Sequence, residues 1–292
     1  MQNLSNDAPS LDHLGWIVTD LFGGAIAWER LGFRLSRISP QMGFTGPNGT
    51  LELWASANRC AVLETGYLEL IGIVDPGRFN PWQTYLARGD SPHIAAFRVT
   101  EADMAFPSLM SRVQGFEAPV QRSRMAPLGL HEDEGEAEMR FRNIFSQDKY
   151  WPEGRFIVIE HQTPEILWQA DLLEHPNGAR ALVEAVFVSP DPDSTIDRLA
   201  RLLNRPHQAG ALKAQGGGKI TVLKPTEFAE RFPGATAPNR PSIAAAVISV
   251  SDLSTLDSLT KANDLQLNKT PGGGLAAVGT TSAGGVIEFV QA

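Results

Sequence analysis

The sequence predicts an α+β fold in which one unit, a strand, a helix and about three further strands, occurs four times. Three observations carry this expectation. Four segments begin alike, LDHLGWIVTDL at residue 11, HIAAFRVTEAD at 93, ALVEAVFVSPD at 181 and IAAAVISVSDL at 243, a spacing of about 80 residues and longer than the usual solenoid periods. Apolar residues at helical spacing follow each segment. Short alternating runs broken by turn residues follow each helix.

The opening segments are short apolar strands that end in Val-x-Asp/Glu or a close variant. The acidic or hydroxyl residue there, Asp20 in the first unit, suits a helix N-cap because its oxygen accepts the unpaired N–H groups of the first turn. The helices lie in AIAWERLGF, in MAFPSLMSRVQGF with a proline in its first turn, in DSTIDRLARLLN and in DLSTLDSLTKAND. The first two stop at a glycine followed by Phe33 or Phe116, as a left-handed C-terminal cap does. The strand runs RCAVLETGYLELIGI, GRFIVIEHQ, GGKITVLK and LAAVGTTSAGGVIEFV close the four units. Between the second and third units, Thr163, Pro164 and Glu165 predict the start of a connecting helix over 163–180, ended near Pro176, Asn177 and Gly178. HEDEGEAE at 131–138 reads as a solvated hairpin loop. The glycine triplets at 216–218 and 272–274 lack the Lys-Ser/Thr of a phosphate-binding loop and read as repeated tight turns.

The 292 residues, 42% hydrophobic and 20% charged, suffice for a sizeable core. A net charge of −8 without a basic stripe argues against nucleic acid as a partner. Cys60 is the single cysteine, which excludes an intramolecular disulfide, cysteine-based zinc cages and CxxC redox motifs. The polar start MQNLSNDAPS lacks the regions of a signal peptide, and no run approaches the roughly 18 apolar residues of a membrane span. No membrane association and a cytoplasmic location are expected.

DHLGWIVTDL with AIAWERLGF at the start of the first unit, and GYLELIG at its end, resemble the vicinal oxygen chelate superfamily, which includes glyoxalase I, extradiol dioxygenases and bleomycin resistance proteins. The segment from His161 to Trp168, H-x-T-P-E-x-x-W, and HPNGA from His175 to Ala179 are similar to those of its long glyoxalase-like branch. The resemblance covers nearly the whole chain and implies four βαβββ modules in two pairs, each pair forming a cupped mixed sheet with helices outside. Residues 1–162 then form the N-terminal pair with the candidate active site, 163–180 the connecting helix, and 181–292 a degenerate, structural C-terminal pair.

Where this superfamily uses a metal, ligands come from the first and last strands of each unit. Carried onto this chain, that implies His13 and Glu69 from the first unit and His93 and Glu160 from the second, with His161 as the alternative to Glu160. Two imidazoles and one or two carboxylates suit a divalent ion, and Fe, Mn, Ni and Zn are not distinguished by such a set. A metal-free pocket is the competing expectation. In either, Glu69 or Glu160 serves as base.

Strand alternation bears on this set, because a shift of one residue turns a side chain to the other face. His13 lies five residues before Val18, whereas His93 lies six before Val99, so a regular strand turns Ile94 inward. A bulge at Ala95 and Ala96 would restore His93. The places matching His13 in units three and four read as Val183 and Ala245, leaving Glu288 as a lone carboxylate. Arg98 and Trp16 are candidates for substrate binding, against solvent-facing and core readings respectively. The function expected is a metal-dependent lyase, isomerase or dioxygenase acting on a small oxygenated organic compound. The alternative is a non-catalytic protein that sequesters a hydrophobic or aromatic one. Both monomer and homodimer fit.

Overall fold

A computed structural model describes residues 6, 8–46 and 49–292 and contains all four units. The first half runs β1 (Ser10–Val18), α1 (Leu21–Arg30), β2 (Ser39–Phe44), β3 (Leu51–Val62), β4 (Tyr67–Ile73), α2 (Gln83–Leu86), β5 (Ser91–Arg98), α3 (Ala102–Arg112), β6 (Val120–Pro127), β7 (Glu136–Phe145) and β8 (Arg155–His161). The second half runs β9 (Ala179–Val188), α4 (Pro192–Leu203), β10 (His207–Gln208), β11 (Ala211–Lys213), β12 (Lys219–Leu223), α5 (Pro225–Arg231), β13 (Ser242–Val250), α6 (Leu253–Ala262), β14 (Asn268–Lys269), β15 (Leu275–Val278) and β16 (Val286–Gln291). Each half is one eight-stranded sheet, ordered β2-β3-β4-β1-β5-β8-β7-β6 and β10-β11-β12-β9-β13-β16-β15-β14. The fold is therefore α+β, with paired modules joined through their opening strands.

The caps follow the expected chemistry in three units. Asp20 accepts from Phe22 N–H, Asp191 from Ser194 N–H and Asp252 from Ser254 N–H. Glu101, one methylene longer, makes no such bond at the start of α3. Glu160 supplies it instead, its Oε2 accepting from Ala102 N–H at 2.8 Å.

The opening strands share an irregularity. In the ladder between β1 and β5, Leu11 faces Phe97 and His13 faces Ala96, leaving Asp12 as an extra residue; Gly15 faces Ile94 and Trp16 faces Pro92, leaving His93 extra. Val183 and Ala244 are extra in the same way between β9 and β13. A bulge thus recurs at one position of every unit, and its extra residue is turned out of the regular alternation. Beyond it, Leu14, Trp16 and Val18 point away from the cup into the core that both sheets share with α1, α3 and α4. Phe97, Phe156 and Phe187 stack across that core, and Phe33 packs on Phe289. Trp16 and Trp28 donate from Nε1 to Gly284 O and Ser282 O in the second half, at 2.7 and 3.0 Å.

The expected helix over 163–180 is not formed. Two single turns, Pro164–Ile166 and Ala170–Leu172, stand in its place. Trp168 Nε1 donates to Leu63 O and Asn177 Nδ2 to Leu31 O, bonds to other segments that a continuous helix would forgo, while Asn177 Oδ1 accepts locally from Ala179 N–H. His175 accepts from Arg34 N–H at Nδ1 and so donates from Nε2 to Val62 O. The His-Pro-Asn-Gly segment ties the loop after α1 to the end of β3. The charged stretch at 131–138 lies in the β6–β7 hairpin, and the glycine triplets lie in the β11–β12 and β14–β15 turns.

Candidate functional site

The concave face of the first sheet encloses a cavity of about 190 Å3. Its edges meet at the rim, where Ser39 of β2 hydrogen-bonds Arg124 and Met125 O of β6. Trp54, Trp82, Phe141 and Phe145 form much of the apolar wall. His13, Tyr67, Glu69 and His161 supply a polar group on one side of it, and Arg122 and Arg155 also line the space.

The polar group is organised by Asp12. The bulge brings Asp12 beside His13 rather than behind it, and the carboxylate is fully buried. Its Oδ1 lies 2.8 Å from His13 Nδ1 and 3.1 Å from His161 Nε2, and its Oδ2 accepts from Arg98 Nε at 2.5 Å. Burial by itself would raise the Asp12 pKa, but the charges of His161 and Arg98 and the bonds from both histidines outweigh it. They hold the carboxyl well below the ordinary range. An ionised carboxylate only accepts, so both histidines carry the hydrogen on the nitrogen facing Asp12. His13 therefore presents Nε2 toward Glu69, whose Oε2 lies 3.9 Å away. Glu69 is tied by Asn58 Nδ2, and His13 stacks on Tyr67 with ring centres 4.2 Å apart.

The structure brings together His13, Glu69 and His161 of the expected site residues. Glu160 alternates outward and caps α3, so the inward place on that strand belongs to His161, with Ile157 and Ile159 before it. Arg98 does not line the cavity; it pairs with Asp12 and lies over the Trp168 ring at 4.3 Å. Trp16 lies on the opposite face of β1, in the core. The bulge in β5 falls at His93 itself, while Ala95 and Ala96 pair regularly with Leu14 and His13. Ile94 therefore faces the cavity, and His93 Nε2 bonds Gly89 O at 2.8 Å.

Burial pushes the His93 imidazole down to about 4 from 6.5, with Arg88 and Arg240 acting in the same sense and Gly89 O and Asp90 against it. The unfolded chain then binds the extra proton between those values, so stability falls as pH drops from 6.5 toward 4. Urea denaturation should show His93→Gln losing less stability than the parent on acidification, by roughly 2 kcal/mol at about pH 5. Equal losses in both proteins would refute this assignment.

The second unit does not supply a matching donor pair. Glu69 stands opposite Gly15 in the β1–β4 ladder, and the same relation places Ile157 opposite Ala96. Ile94 and Ile157 thus occupy the places of His13 and Glu69. His161 Nε2 is turned to Asp12, and no three His, Cys, Asp or Glu side chains among the described residues form a group able to hold a metal ion. This donor set does not fit the divalent centre that the resemblance implies.

In the second sheet the residue after the bulge in β9 is Glu184, not Val183, and Glu288 stands opposite Val247. Arg231 of α5 bonds both carboxylates, at 2.9 Å twice to Glu184 and 2.8 Å to Glu288. Phe228 and Phe232 pack with it against the concave face. That cup is filled by its own helix, an element absent from the expected pattern because PTEFAER is too short for a clear helical period.

The residues sequence reasoning missed are Asp12, Asn58, Tyr67, Arg122 and Arg155. Asp12 adjoins the candidate histidine, and only the bulge makes the two neighbours share a face.

Residues 11–203 match the family described as Glyoxalase-like domain. Comparison with curated proteins returned no match. Among solved structures, a hypothetical protein from Staphylococcus aureus superposes with a TM-score of 0.60 at 8% identity, covering 97% of this chain and 100% of that one. A variant of 4-hydroxymandelate synthase from Streptomyces coelicolor gives 0.59 at 13% identity, with 97% and 92% covered. A xylose isomerase-like TIM barrel/4-hydroxyphenylpyruvate dioxygenase fusion protein gives 0.58 at 13% identity, covering 97% of this chain and 49% of its own length. At such identities the likeness concerns the fold. The match covers about two thirds of the chain, and with the paired βαβββ modules of each cupped sheet it makes this chain a member of the glyoxalase-like domain family.

Proposed function

We propose that the protein is an acid–base enzyme of isomerase or lyase type, moving a proton on a small organic compound held in the first cup. The observation that supports this reading is the buried Asp12 carboxylate behind His13, which leaves Nε2 facing Glu69 and the cavity. His13 takes a proton from a carbon beside a carbonyl, and the bond electrons move onto the carbonyl oxygen as an enolate. Asp12 stabilises the imidazolium so formed, as in other carboxylate–histidine pairs. Glu69, on the neighbouring strand, relays the proton to a second position on the same face of the compound.

The test is solvent deuterium exchange, followed by NMR with a panel of small enolisable carbonyl compounds. Exchange catalysed by the parent should persist with EDTA present and fall at least about 100-fold in His13→Gln and Glu69→Gln. Exchange that is absent, or that survives both substitutions, would sink the reading. A second reading, sequestration without turnover, is favoured by Ile94 and Ile157 in the two ligand places. It predicts a bound compound with no exchange and an affinity indifferent to Glu69→Gln.

A further inference from the structure

The same cavity carries positive charge that the proton-transfer group does not use. Arg155, at the start of β8, lies over the Phe145 ring at 4.7 Å and the Trp82 ring at 5.7 Å. Arg122, from β6, reaches the same Phe145 ring at 5.9 Å. Among the described residues neither guanidinium has a carboxylate within salt-bridge distance. Arg124, the third arginine lining the cavity, is engaged with Ser39. Two cations facing one part-apolar space, neither held in an ion pair, repel one another. Burial and the Arg155 charge accordingly push Arg122 below its ordinary pKa, against the pull of Glu117.

Three residues of this cavity's wall each hold a buried polar atom without a hydrogen-bond partner: Arg155 Nε, Trp54 Nε1 and Asn143 Oδ1. Buried polar groups are normally paired, so three orphans gathered in the wall of one cavity leave a local demand for partners. Two of them are donors. The Asn143 amide, itself 5% exposed, offers a third donor when its oxygen and nitrogen exchange places.

The distances set the length of the occupant. His13 stands opposite Ala96 and Ala96 opposite Ile157, so Arg155 lies two strands across and two residues along from His13. That is about 12 Å between Cα atoms. Side chains reaching inward from both sides leave room for a body the size of one aromatic ring between the anion and the reacting carbon.

We infer that Arg122 and Arg155 form the carboxylate-binding subsite of this cavity, and that its ligand is a small monocarboxylate with a flat apolar body lying along the apolar wall from these arginines toward His13. Planar guanidinium forks match a carboxylate in two parallel bonds, and the low polarity of the wall strengthens them. The inference deepens the function proposed above and needs only its binding half, so it is read by binding and not by turnover.

The experiment is isothermal titration of the full chain with phenylacetate, its neutral isostere phenylacetamide, and phenyl phosphate. Phenylacetate should bind at least about tenfold more tightly than the amide, and more tightly than the phosphate ester. Arg122→Gln and Arg155→Gln should each weaken phenylacetate by about tenfold or more, Arg155→Lys by less, and the exposed Arg140→Gln not at all. The wild-type comparison of acid with amide stands even if a variant fails to fold. Equal affinity for acid and amide, tighter binding of phenyl phosphate, or Arg122→Gln and Arg155→Gln variants that fold yet bind phenylacetate like the parent would overturn the carboxylate subsite. Loss of deuterium exchange with this binding pattern intact would overturn the proton-transfer function alone.

Discussion

Replacing Arg231 by alanine should cost about 3–5 kcal/mol of stability, because it strands two buried carboxylates that now share one cation. The side chains of Glu184 and Glu288 are 8% and 4% exposed, and Arg231 is their common partner. Burial would raise the Glu184 pKa, but the Arg231 bonds and charge, with help from Thr221 and Lys219, hold it below the ordinary carboxylate value. Its contribution is therefore full above the unfolded carboxylate pKa and is lost as pH falls through the folded one. In the alanine variant the sign reverses. Glu184, still buried but left with only Thr221 and the exposed Lys219, takes up a proton more readily when folded than unfolded, so stability should rise as pH is lowered from about 7 to about 5. Urea denaturation at both pH values measures this. Adding Glu184→Gln and Glu288→Gln to the variant should recover part of the loss; a deficit under about 1 kcal/mol, or no recovery, would show that Arg231 is not the cup's counterion.

The second large effect is expected from Asp12→Asn. The substitution keeps the size of the side chain but replaces an acceptor with a group that can donate to His13 Nδ1. The imidazole then carries its hydrogen on Nε2, the wrong nitrogen for a base facing the cavity, and the imidazolium loses its counter-charge. Deuterium exchange should fall roughly 1,000-fold while phenylacetate affinity stays within about threefold. Asp12 is a positioning residue, so the distinguishing readout is how the loss divides: the saturating exchange rate should fall while KM stays within about threefold. A loss confined to KM or to the fraction of folded protein would mean that Asp12 only supports the fold. Stability carries its own signature. The part contributed by ionised Asp12 is present above the ordinary carboxyl value of 3.8 and disappears below it.

Much of this fold was legible in the chain because it rests on short-range signals. Three aspartate caps, the helix stripes and the alternating runs all specify the unit locally, and the repeat makes each reading support the others. His13 and Glu69 were readable through the family resemblance, which puts site residues on the first and last strands of the unit. The rest depended on bulges, which insert one residue into a ladder with no compositional mark. The bulge at Asp12 converts a neighbour of the candidate histidine into its partner. The bulge at His93 lies one position before the inward place and leaves Ile94 there. The bulge at Val183 moves the matching place on to Glu184. Glu160 and His161 posed a related difficulty, since adjacent strand residues differ in role only through their face. Pairing of α3 with Glu160 decides it, and that contact depends on Glu101 failing to cap its own helix. The linker 163–180 shows the opposite limit. Its helix start signal is real but local, and bonds from Trp168 and Asn177 to distant carbonyls override it.

The indole bonds from Trp16 and Trp28 to carbonyls of the second half give the molecule a property that its internal repetition conceals. Severing the chain between the sheets would strand both ring N–H groups and bare the wall formed by Phe33, Phe187 and Phe289. The four copies are thus interdependent parts of one cooperative body, and the divide near residue 180 is a seam in pattern without being a line of separation. The first cup is backed by a core to which both sheets contribute, so its shape depends on the whole chain.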